Sequence, residues 1–283
     1  MSLNNQRAQK TPSNGSDNRP IGIFDSGIGG ITVLRELVKT FPNESFIYLG
    51  DTARLPYGSK SGDTVRKYSL QNMKYLVSRD VKAIVVACNT ASTQVHENTF
   101  EDRPVYNVID PGAELAVRKT ENKKIAILGT RATIRAASYT KKILKLLPDA
   151  EVFTQACPLF VPLAEEAWYE DPVTNLIAFR YLQNLKSADV DTVVLGCTHY
   201  PLLKPSIRKV FGNYVHLIDS GEAISLELLE DFKNQSLLPA ETSSSKFLII
   251  ALTDYSEQFE NLSNELLCTV INGNINFETV SVI

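Results

Sequence analysis

The chain has 283 residues, enough for one large domain or two of ordinary size, and its 43% hydrophobic and 22% charged residues are those of an ordinary globular protein with a full core. A formal net charge of −3, with acidic and basic residues interspersed, leaves no basic stripe to follow a phosphate backbone, which argues against nucleic acid as the main partner. Four cysteines with no CxxC pair, and only three histidines, argue against a secreted disulfide framework and against a metal centre.

Residues 1–20 are polar and lack the apolar stretch of a signal peptide, so a disordered leader is expected there. No segment is long and apolar enough to span a bilayer, so no membrane partner is expected and the expected location is cytoplasmic. From residue 20 onward short apolar runs alternate with amphipathic stretches. Strands are predicted at 21–24, 46–49, 83–87, 105–109, 125–128, 152–155, 192–195 and 215–218. Helices are predicted at 32–40, 64–78, 113–119, 138–147, 175–185 and 202–211. Continuous apolar strands alternating with helices mean mostly parallel sheets covered on both faces. Residues 219–232 read as a further helix. A strand at 247–252, a helical stretch at 257–267 and a final run at 277–283 follow, with a polar loop at 241–246.

The pattern is written twice. Ile21-Gly22-Ile23-Phe24-Asp25-Ser26 opens one half, and Ile125-Ala126-Ile127-Leu128-Gly129-Thr130 opens the other. Later in each half a buried-strand sequence ends in a thiol: Val85-Val86-Ala87-Cys88-Asn89-Thr90-Ala91-Ser92, and Val193-Val194-Leu195-Gly196-Cys197-Thr198-His199-Tyr200. The fold class expected is therefore α/β, with two pseudo-symmetric parallel-sheet domains and the active site in the cleft between them. The first domain comprises 21–110 plus 220–283, the C-terminal piece packing back on it, and the second comprises 111–219. Strand C-terminal edges are where open α/β sheets build their sites.

Removing a proton from one face of a carbon and returning it to the other needs two acid/base groups on opposite sides. A thiolate/thiol pair that exchanges roles with direction meets that need. No pyridoxal-phosphate lysine motif is recognisable, and no cofactor is expected. In Asp25-Ser26-Gly27-Ile28-Gly29-Gly30 the glycines do not have GxGxxG spacing, which disfavours a pyrophosphate there. Asp25 could instead hydrogen-bond an ammonium group or poise a thiol. Pro56-Tyr57-Gly58 taken alone is a turn; its functional reading is carboxylate binding by the Gly58 amide and Tyr57. Asn89-Thr90 and Thr198-His199 are either caps of helices starting after the thiols or donors for a carboxylate. His199, two residues from Cys197, is a candidate thiol partner. His96 is assigned to a helix surface and His216 to a strand. Cys157 reads as a packed, inert thiol and Cys268 as core or helix packing. Glu165 and Glu166 read as a solvated helix face, with one able to turn toward the cleft.

These segments, with Tyr48-Leu49-Gly50-Asp51-Thr52-Ala53-Arg54, Cys157-Pro158-Leu159-Phe160-Val161-Pro162-Leu163 and the Pro201 that follows Tyr200, resemble the glutamate racemases over residues 20–232. Members of that family supply D-glutamate for bacterial peptidoglycan without a cofactor. The resemblance implies that Cys88 deprotonates D-glutamate and Cys197 L-glutamate, with Asp25, His199 and Glu165 assisting. It implies substrate contacts from Asp25, Ser26, Tyr57, Gly58, Asn89, Thr90, Thr130, Thr198 and His199, and a homodimer as the expected assembly. The rival readings are a two-thiol racemase acting on aspartate or hydantoin, a non-catalytic binding or regulatory protein, and a thiol redox protein. The absence of CxxC speaks against the last.

Overall fold

A computed structural model describes residues 17–235, 237–238, 246–271 and 275–282. Eleven strands lie among them: β1 (Ile21–Asp25), β2 (Phe46–Gly50), β3 (Ala83–Val86), β4 (Thr99–Phe100), β5 (Arg103–Asn107), β6 (Lys124–Gly129), β7 (Glu151–Ala156), β8 (Thr192–Gly196), β9 (His216–Asp219), β10 (Leu248–Leu252) and β11 (Asn276–Thr279). They form a seven-stranded sheet in the order β11-β10-β2-β1-β3-β5-β4 and a four-stranded sheet in the order β7-β6-β8-β9. Every pairing is parallel except that of β4 with β5. β1, β2, β3 and β8 are buried along their whole length, as strands covered by helices on both faces must be.

The sheets carry the duplication as topology. The order β2-β1-β3-β5 in one matches β7-β6-β8-β9 in the other, so β3 and β8, the strands that run into Cys88 and Cys197, are counterparts. The first strand of each half lies between its second and third, which opens a crevice at its C-terminal end.

The C-terminal segment returns to the larger sheet. β10 pairs with β2 from Leu248↔Phe46 to Leu252↔Gly50, and β11 pairs with β10. The helix Ser220–Gln235, which follows β9, places Ile224, Leu228 and Phe232 in the same core cluster as Ile31, Leu34 and Leu37. That helix thus crosses from the smaller sheet to the larger one.

Several local expectations need correction. The helix expected at 113–119 runs Ile109–Lys119. Pro111 sits in its first turn, where no intrahelical bond needs the missing N–H. Short helices Arg131–Ala136 and Phe160–Glu165 and the two-residue edge strand β4 went unread, being too brief to show a period. His96 is an exposed loop residue rather than a helical one, and Cys268 is exposed just past the helix Glu257–Leu267 rather than packed. Of the expected leader, residues 1–16 lie outside the described residues. Residues 17–20 have partners: the Asp17 carbonyl accepts from Lys82 Nζ at 2.8 Å and the Pro20 carbonyl from the Lys82 amide at 2.9 Å. Residues 241–245 of the expected loop, and Ile283, also lie outside the described residues.

Candidate active site

β1 delivers Asp25, fully buried, whose Oδ2 accepts from the Gly27 amide at 3.0 Å. β3 delivers Cys88, 5% exposed, which caps the short helix Asn89–Ser92: the Ala91 amide donates to its Sγ at 3.5 Å, and Ser26 Oγ lies 4.0 Å away. From the other sheet β8 delivers Cys197, 6% exposed, with Sγ 3.8 Å from His199 Nδ1. His199 Nε2 lies 3.2 Å from Glu165 Oε1. After the second thiol the chain forms a 3-10 turn, Tyr200–Leu203, that leads into the helix Lys204–Phe211.

The two sides meet directly. Thr198 Oγ1 donates to Asp25 Oδ1 at 3.4 Å, and Thr32 Oγ1 lies 2.8 Å from the Thr198 carbonyl and 2.9 Å from that of Gly29. Thr90 of the first side and Thr130 and Thr133 of the second form a hydroxyl trio with separations of 3.0 to 3.2 Å. Thr130 also caps the helix Arg131–Ala136 by accepting from the Thr133 amide. Gly58 backs onto Thr130, whose Cβ would lie 2.8 Å from a Cβ at that glycine.

Charge is distributed unequally between the thiols. Burial, then the nearby Asp25 carboxylate, push the Cys88 thiol well above its ordinary range, so it is held protonated. Burial also raises Asp25, against the opposing pull of His199. At His199 burial disfavours the charged ring, but hydrogen bonds to Cys197 and Glu165 outweigh it and push the imidazole up to about 10. Near neutrality an imidazolium therefore faces the Cys197 sulfur, while a protonated thiol waits on the other side. Such a site can take a proton from one face of a bound carbon acid and return one to the opposite face.

Two expected residues have side chains engaged elsewhere in the framework. The Tyr57 hydroxyl points inward and donates to Asp51 Oδ2, and it accepts from Asn72 Nδ2 at 3.1 Å. Arg54 Nε completes the arrangement, 2.8 Å from both Asp51 oxygens. The Asn89 carboxamide is engaged by Tyr139 and Ser220 rather than by the neighbouring Cys88. Cys157 is fully buried and makes its backbone available to Tyr200, consistent with packing alone.

A family profile described as Asp/Glu/hydantoin racemase matches residues 21–227. The chain belongs to that family. It is 50% identical over 222 residues to a glutamate racemase of Geobacter metallireducens, covering 78% of this chain and 82% of that one. Among solved structures, it matches a glutamate racemase isoform of Bacillus anthracis with a TM-score of 0.87 at 32% identity, covering 94% of this chain and 98% of the other. The glutamate racemase of Francisella tularensis, solved in complex with D-glutamate, matches with a TM-score of 0.85 at 35% identity over the same shares. The racemase scaffold thus accounts for the paired sheets.

Thr32, Thr133, Tyr139 and Ser220 take part in the site's framework and were not read from the sequence. Ser220 carried a usable signal: Asp219-Ser220-Gly221 repeats Asp25-Ser26-Gly27 at the end of another strand. The same Asp-to-Gly bond recurs, with Asp219 Oδ1 accepting from the Gly221 amide at 2.8 Å. Thr133 lies three residues past Thr130, the spacing at which a capping side chain meets a backbone amide.

Proposed function

We propose that this racemase interconverts L- and D-glutamate without a cofactor, using Cys88 and Cys197 as two one-sided bases. The observation that carries the reading is the pair of buried thiols at matching strand ends on opposite sheets, joined through Asp25 and Thr198. With L-glutamate bound, Cys197, facing the His199 imidazolium, takes the α-proton, and the protonated Cys88 returns one to the opposite face. With D-glutamate the roles reverse. Asp25 and His199, the latter steadied by Glu165, set the charge at each thiol. Ser26, Thr90, Thr130 and Thr198, with backbone groups of Tyr57, Gly58 and Asn89, hold the carboxylates and the ammonium group. Two domains, 21–110 with 220–283 and 111–219, close over the substrate and exclude water, strengthening the electrostatics that stabilise the developing carbanion. The physiological reading is D-glutamate supply for peptidoglycan in the cytoplasm, by a homodimer. Among the described residues no helix is long and apolar enough to cross a membrane.

The test is exchange in deuterium oxide. Either glutamate enantiomer should take up deuterium at the α-carbon, with Cys88→Ala or Cys197→Ala lowering racemisation by at least about 100-fold. Binding without deuterium uptake would make the protein a sensor rather than an enzyme. A higher kcat/KM for aspartate than for glutamate would sink the substrate assignment.

A further inference from the structure

Tyr139 is 2% exposed, on the helix Ser138–Leu146, and touches the chain next to both thiols. Its hydroxyl donates to Asn89 Oδ1 at 2.7 Å, and Asn89 directly follows Cys88. The Val108 carbonyl is a more distant alternative at 3.3 Å, and a phenol has one proton, so the shorter bond holds it. The same ring lies against Gly196, which directly precedes Cys197: a Cβ there would stand 3.3 Å from Tyr139 Cε2. A Cβ on Gly112 would meet the opposite ring edge at 3.2 Å, so two glycines shape the slot. The hydrogen bonds then continue to the second thiol's strand. Asn89 Nδ2 donates to Ser220 Oγ at 3.3 Å, and Ser220 Oγ donates to the Leu195 carbonyl at 3.3 Å. Asn89 Oδ1 is a second acceptor within reach of Ser220 Oγ, at 3.4 Å, and the network is buried, where an unmade bond is costly.

We infer that Tyr139 is a positioning residue that sets the spacing of the two thiols, its ring bracing the approach to Cys197 and its hydroxyl, with Ser220, anchoring the loop of Cys88. The inference rests on the reading of those thiols as the two bases. Tyr139 touches no reacting atom; it acts through Asn89 and Gly196. Loss of the hydroxyl leaves the ring in its slot and releases only the Cys88 side.

Tyr139→Phe therefore has an asymmetric signature. The enantiomers have equal free energies, so kcat/KM must fall equally in both directions, by about 10-fold for one lost buried hydrogen bond. The asymmetry appears in the isotope effects. Proton removal by Cys88 becomes more rate-limiting, so the α-deuterium effect on kcat/KM rises for D-glutamate and shrinks for L-glutamate. Ser220→Ala, which loosens the same anchor and keeps the ring, should shift both effects in the same directions, and it carries the test alone if Tyr139→Phe does not fold. Wild-type kinetics, or a loss of rate with both isotope effects unchanged, would overturn the inference. If Cys88→Ala and Cys197→Ala keep normal exchange, the two-base reading fails instead, so the two failures are distinguishable.

Discussion

At the scale of single residues, His199 shows how a site side chain couples chemistry to stability. In the unfolded chain its imidazole titrates near its ordinary 6.5, whereas in the folded site it is pushed up to about 10. Between those values the native state holds a proton that the unfolded chain has released. The stabilisation this provides is complete below about pH 6.5 and is lost as pH rises through about 10. Glu165→Gln removes one of the two partners that raise the ring, so the variant should lose less stability than the wild type between pH 6.5 and 10. Urea unfolding at both ends of that window measures the two losses; equal losses would refute the assignment. The pairing of His199 with Cys197 was legible because the two are neighbours in sequence. Glu165 was not readable from local pattern, since an acidic helix end is ordinarily solvated and only the fold brings it to 3.2 Å from the ring. Tyr57 illustrates the converse: its position beside a Gly suggested a binding hydroxyl, and Asp51 claims that hydroxyl instead.

At the scale of elements, the site is a meeting of loops. The turn after β1 includes the 3-10 segment Ile28–Gly30, and a Cβ at Gly29 would stand 2.3 Å from Thr198 Oγ1 and 2.5 Å from His199 Nδ1. No side chain fits there unless the Thr198 and His199 side chains, or the loop that carries them, move. Gly29→Ala should therefore lower kcat/KM for both enantiomers by on the order of 100-fold, the cost of moving reacting groups by about 1 Å. Steady-state rates measure this, and near-wild-type values would show that the loops yield without cost. Long elements with a clear period were readable, and the strand ends fell close to where the apolar runs stop. The brief helices Arg131–Ala136 and Phe160–Glu165 were not, although the first is capped by Thr130 and the second ends in Glu165. A six-residue helix owes its existence to packing and capping more than to its own periodicity.

At the scale of the whole molecule, the C-terminal segment completes the larger sheet. β10 covers the β2 edge, and Leu248, Ile250 and Leu252 enter the core cluster built around β1 and the helix Ile31–Thr40. Removing residues 247–283 should uncover that edge and core together and abolish cooperative thermal unfolding. Circular dichroism would detect this, and a wild-type melting curve would contradict it. A second long-range tie is the buried pair of Lys82 and Glu44, 2.6 Å apart, in which Lys82 also donates to the Asp17 and Leu237 carbonyls.

Apolar runs, helical periods and the repeated thiol phrase are properties of neighbouring residues, so the α/β class, the doubling of the fold and the equivalence of Cys88 and Cys197 could be read along the chain. The long-range partners of the groups beside each thiol could not. Asn89 turns to Tyr139 and Ser220, Asp25 meets Thr198, and His199 finds Glu165 through contacts between segments far apart in sequence. A buried donor or acceptor has few places to bond, and packing of the two sheets chooses among partners that the linear order leaves equal.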